Sequence, residues 1–98
     1  MNESIVNIFK NPKNLSRFKK IVDKSFYYSC AYEFCMCARN DIKNGKLNYS
    51  AEDLKDLNDL AKYFKTQKQL QNEGKISMPA VFSKTFEQWL LENEDVFD

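Results

Sequence analysis

Apolar side chains recur every three or four residues through most of this chain, and that period predicts helices. Leu15, Phe18, Ile21, Val22 and Phe26 form one such series. It starts at Asn14 or Ser16, after the proline-containing stretch NPKN, and runs to about Lys43, where Asn44-Gly45 supplies a stop. A helix of roughly 28 residues would span on the order of 40 Å, long for a small domain, so a bend or break inside it is expected. Ahead of Pro12, Ser4 to Lys10 reads as a short helix or arm with Ile5, Val6, Ile8 and Phe9 as its apolar positions. Ser50, with Asp53 three residues later, makes a variant capping box before Leu54, Leu57, Leu60, Ala61 and Phe64, and Gly74 closes that helix. Its acids Glu52, Asp53, Asp56 and Asp59 come early and its bases Lys62, Lys65 and Lys68 come late, as the helix macrodipole favours. A last helix opens near Ser77 or Pro79, carries Val81, Phe82, Phe86, Trp89 and Leu90 on one stripe, and ends near Glu94.

One segment breaks the regularity. From Phe26 to Ala38 the chain reads FYYSCAYEFCMCA, with eleven of thirteen residues apolar or aromatic and all three cysteines inside eight positions. On a helical wheel Phe18, Ile21, Val22 and Ser25 share one side, with Lys19, Lys20, Asp23 and Lys24 opposite. Beyond Phe26 the sides exchange: Tyr27, Cys30, Ala31, Phe34 and Ala38 fill the formerly charged side, and Ser29, Glu33 and Asn40 fall on the formerly apolar one. Three arrangements satisfy that swap: a kink between Lys24 and Tyr28, a second half surrounded by other helices, or packing on a partner chain. The segment is too short to span a bilayer and belongs in the centre of the fold or of an interface.

The 98 residues suit one helical domain covering residues 1–98, with 92–98 as a frayed acidic tail. Hydrophobic residues at 43% support a packed core, and two Gly and two Pro leave few tight turns, so an all-α fold is expected: a small compact bundle of about four helices, with Trp89 on the aromatic segment. No charged n-region followed by an apolar h-region opens the sequence, which points to a cytoplasmic protein with no membrane association. Thirteen Lys against two Arg and ten Asn suggest an A+T-rich coding sequence, as in many bacteriophages, with a phage host cell as the setting.

Chemistry is sparse. Histidine is absent, which removes the commonest general base and the usual fourth zinc ligand. Cys30, Cys35 and Cys37 cannot converge on one ion from a single helix, and Cys30 to Cys37, on the order of 10 Å apart, lie beyond disulfide reach. They read as reduced packing thiols. Glu33, the one acid inside the apolar segment, reads as solvated. With no P-loop, GxGxxG or GxSxG, no catalytic residue, cofactor or metal site is assigned and the chain is expected not to be an enzyme.

Charge is uneven although it totals +1: residues 1–46 hold nine Lys and Arg against four Asp and Glu, net +5, and residues 47–98 hold six against ten, net −4. The expected function is a non-enzymatic protein-binding module, a phage-type accessory or inhibitory factor that occludes a larger partner. Its candidate interface is the exposed members of Tyr27, Tyr28 and Tyr32, with Trp89, Glu92, Glu94, Asp95 and Phe97, where aromatic anchors interleave with acids. A second copy of the chain is another candidate partner, since those acids could cover a neighbour's lysines. The alternative is a small nucleic-acid-binding protein using Lys10, Lys13, Arg17, Lys19, Lys20 and Lys24.

Overall fold

The computed structural model describes residues 7–78 and 85–97. Where the apolar pattern expects one long helix, the chain makes two: α1, Asn14–Ser25, and α2, Tyr28–Lys43. They are followed by α3, Ala51–Asn72, and α4, Phe86–Glu92, with 3-10 turns at Ile8–Lys10 and Glu94–Val96 and no strand among the described residues. The all-α bundle is therefore as expected, but its four members differ from those anticipated. The N-terminal segment contributes a 3-10 turn, and the fourth helix comes from the division of the long one.

That division has a specific cause. Phe26 is in the left-handed region, φ 62° and ψ 24°, and its N–H donates to the Val22 carbonyl at 2.8 Å. The bond is that of a left-handed helix terminus, a place usually taken by glycine because a side chain there costs about 1–2 kcal/mol. Glycine fills the corresponding place at the ends of α2 and α3: Gly45 (φ 79°) and Gly74 (φ 73°) precede Lys46 and Lys75, whose N–H groups reach back to the Asp41 and Leu70 carbonyls at 2.7 and 2.9 Å. At Phe26 the cost is offset by tertiary contacts. The buried Gln71 amide donates to the Phe26 carbonyl at 2.8 Å and to the Ser77 carbonyl at 3.0 Å, and the Ser25 hydroxyl donates to the Ile21 and Val22 carbonyls. Phe26 also packs edge-on to Tyr28. Of the three arrangements that satisfy the swap, the chain takes the break between Lys24 and Tyr28, and the left-handed Phe26 accounts for the exchange of buried faces.

Helices α2 and α3 form the main antiparallel pair, and α1 packs across both. At the centre lies Phe18, fully buried, with the rings of Phe9, Phe34, Phe64, Phe86 and Phe97 around it at 5.4 to 6.4 Å between centroids. The aromatic segment is absorbed by this core. Tyr28, Ala31, Cys35 and Ala38 are buried, and Trp89 stacks on Tyr27 at 5.0 Å. Two polar links tie the N-terminal turn down: the buried Asn14 amide donates to the Ile8 carbonyl at 2.9 Å, and the Tyr49 hydroxyl donates to the Phe9 carbonyl at 2.6 Å. Burial, and secondarily the neighbouring Asp53, push the Tyr49 hydroxyl up to about 12.

The Ser50 cap is present, its hydroxyl accepting from the Asp53 N–H at 3.1 Å. The last helix starts later than the Ser77 expected, since Ser77 and Met78 are not helical. Its N-cap is Thr85, in a complete capping box with Gln88. The Pro79 start and the apolar positions Val81 and Phe82 lie outside the described residues. The described part of the acidic tail folds back through the Glu94–Val96 turn and places Phe97 against Phe18.

Candidate functional sites on the two flanks of α3

Two concave surfaces lie on either side of α3. The first is an open cleft of about 520 Å³ between α1 and α3. Leu15, Leu60 and Tyr63 form an apolar floor, Pro12 and Ser16 close one end, and Asp53, Asp56 and Asp59 line one wall against Lys13 and Lys19 on the other. Two of these charges are satisfied internally. Asp59 accepts from Lys55 at 2.9 Å, which lowers its pKa, and Lys19 donates to Asp23 at 3.1 Å while lying 4.2 Å from the Tyr63 ring centre. Asp53 and Asp56 make no ion pair among the described residues.

The cleft rests on a polar knot. Asp23 accepts from the Tyr63 and Tyr28 hydroxyls at 2.6 and 2.8 Å as well as from Lys19. Burial would raise its carboxyl, but the three donors together outweigh burial and hold it below the usual carboxylate range. The same contacts, led by burial, raise both tyrosines.

The second surface is a groove of about 220 Å³ between α2 and α3, lined by Tyr32, Met36, Arg39, Asn58, Ala61, Lys62 and Lys65. Lys68 extends it, with its ammonium 5.5 Å from the Tyr32 ring centre. Arg39 donates to the Met36 sulfur at 3.5 Å, and no ion pair reaches Arg39, Lys62, Lys65 or Lys68 among the described residues. Asn58 adds a buried side-chain oxygen with no hydrogen-bond partner, a condition that costs about 1–3 kcal/mol.

The residues expected at an interface are divided by the fold. Tyr27 and Tyr28 are turned into the chain's own core, at 9% and 3% exposure, so the exposed member of the tyrosine set is the half-buried Tyr32. Trp89 and Phe97 are half-buried against Tyr27 and Phe18. Glu92, Glu94 and Asp95 stay at the surface. Of the basic set, Lys13, Arg17, Lys20 and Lys24 align on one face of α1, Lys10 is exposed on the preceding turn, and Lys19 leaves the group for Asp23. Arg17 donates to Asn14 at 3.2 Å. Lys13 also lines the cleft between α1 and α3.

The thiols divide as well. Cys35 is buried, Cys30 half-buried and Cys37 exposed, and none forms a disulfide. Burial pushes Cys35 up to about 12; burial, then Glu33 and Glu87, raise Cys30, so neither is poised as a nucleophile. Among the described residues no group of three His, Cys, Asp or Glu side chains could hold a metal ion, and no helix is long and apolar enough to cross a membrane.

The groove on the second flank was missed by sequence reasoning, although half of its signal is visible. Tyr32, Met36 and Arg39 repeat at i, i+4, i+7, and so do Asn58, Lys62 and Lys65. What sequence does not show is that these stripes face one another. Compared with protein-family models, with curated proteins and with solved structures, the chain matches none.

Proposed function

We propose that this chain is a non-enzymatic protein-binding module that docks an amphipathic segment of a larger partner in the cleft between α1 and α3, occluding that surface of the partner. The observation that carries the reading is the pairing of an apolar floor, Leu15, Leu60 and Tyr63, with Asp53 and Asp56 on one wall, carboxylates that make no ion pair among the described residues. An aliphatic or aromatic anchor fits the floor, and a lysine or arginine beside it on the partner meets the carboxylates. The volume lies in the range of ordinary binding sites, and the open cleft suits a polypeptide segment lying in it. The raised Cys30 and Cys35 thiols accord with a non-catalytic role.

The test is differential capture. Ser16 is exposed at the end of the cleft, so Ser16→Trp fills it without touching the core, and Asp56→Lys reverses its charge. A partner retained by the wild-type chain and by a Glu92→Lys/Glu94→Lys tail variant, but lost by Ser16→Trp and weakened about tenfold or more by Asp56→Lys, supports the cleft. Capture that survives both cleft variants and fails with the tail variant moves the interface to the acidic tail. The alternative reading, nucleic-acid contact through Lys10, Lys13, Arg17, Lys20 and Lys24, draws support from their alignment on α1 and predicts loss of binding in Lys20→Ala/Lys24→Ala.

A further inference from the structure

The α2–α3 groove combines two features that a solvated lysine face does not need. Arg39, Lys62, Lys65 and Lys68 form a cationic rim that makes no ion pair among the described residues, Lys62 alone lying near enough to a carboxylate to lower the pKa of Asp59. Tyr32 and Met36 line the groove between them, with the Lys68 ammonium 5.5 Å from the Tyr32 ring centre. At about 220 Å³ the groove is smaller than the pockets that enclose small molecules, which suits a polymer crossing it.

We propose that this groove is a contact site for single-stranded nucleic acid. Phosphates along the strand meet the four cations, and one base lies against Tyr32 and Met36. A strand carries an anion and a flat aromatic base in every nucleotide, whereas an acidic peptide matches that only where its carboxylates alternate with aromatic side chains. Duplex DNA keeps its bases stacked and cannot offer one to the tyrosine. The site is independent of the α1–α3 cleft, so either assignment can fail without the other.

The experiment is fluorescence anisotropy with a labelled 12-nucleotide oligouridylate and oligothymidylate, against a 12-base-pair duplex and polyglutamate, from 50 to 200 mM salt. The expected result is single-strand binding that falls with salt at a slope of about −0.7 per phosphate contacted, near −3 for four contacts. Lys62→Ala/Lys65→Ala should weaken binding about tenfold or more at low salt and make the slope shallower by about 1.4. Tyr32→Ala should weaken it by about fivefold or more at unchanged slope, with Tyr32→Phe restoring it, which separates stacking from charge and from misfolding. Lys20→Ala/Lys24→Ala should leave it unchanged. The proposal is overturned by absence of binding at 50 mM salt, by equal affinity for the duplex, by displacement with polyglutamate at matched charge, or by loss in the α1 variant with the groove variants unaffected.

Discussion

The two flanks of α3 carry opposite chemistry on one helix. Toward α1 it presents Asp53, Asp56, Leu60 and Tyr63 over an apolar floor; toward the outer side of α2 it presents Asn58, Lys62 and Lys65 beside Arg39 and Tyr32. Read along the sequence, the same charges are ordered end to end, acids first and bases last, and the macrodipole accounts for that order. In the fold the order becomes lateral as well, because positions 53, 56, 60 and 63 share one side of the helix and 58, 62 and 65 another. A charge pattern with a sufficient local explanation can still build two different surfaces.

That contrast can be broken most severely at the core both surfaces share. Phe18→Ala removes the ring at the centre of the aromatic cluster and should cost about 3–5 kcal/mol in denaturant unfolding, weakening both of the proposed binding activities together. Groove binding retained when cleft binding is lost would show that the groove needs only the α2–α3 pair.

Next in size are the polar links that set how α1, α2 and α3 meet. Gln71→Ala deprives the Phe26 and Ser77 carbonyls of their shared donor and should cost about 1–3 kcal/mol, with faster amide exchange around residues 26–28. Unchanged exchange there would mean that the left-handed turn holds itself. Asp23 separates the flanks by pH. Because its folded pKa lies below the ordinary carboxylate value of about 3.9, its contribution is fully present above that value and is lost as pH falls through the folded pKa. Acid titration of stability below about pH 4 should therefore flatten in Asp23→Asn, which should also lose about 1–3 kcal/mol at neutral pH. The cleft beside Tyr63 should loosen, while the oligonucleotide binding proposed for the α2–α3 groove should be unchanged.

The smallest effect is the sharpest for the comparison. Lys62→Ala/Lys65→Ala alters exposed side chains that make no ion pair among the described residues, so stability should stay within about 0.5 kcal/mol for each change. A larger loss by thermal melting would make these lysines structural.

Much of the architecture was legible. The stops at Gly45 and Gly74, the Ser50 cap, the break near Phe26 and the meeting of Trp89 with the aromatic segment all follow from residue type and period. The Thr85–Gln88 box was present in the letters and passed over for Ser77 and Pro79, since a cap is recognisable only once its helix is located. The burial of Tyr27 and Tyr28 was not legible for a related reason: amphipathic aromatics suit an interface and a core equally well.

The sequence by itself determined the all-α class, the start of α3, the ends of α2 and α3 and the division of the chain into a basic and an acidic half, because period, capping and charge act over a few residues. Only the tertiary structure decided that Phe26 takes a left-handed turn, that Asp23 gathers Tyr28, Tyr63 and Lys19, and that Tyr32 faces Lys62, Lys65 and Lys68. Each depends on contacts between helices far apart in sequence, whose relative placement is set by how the whole core packs.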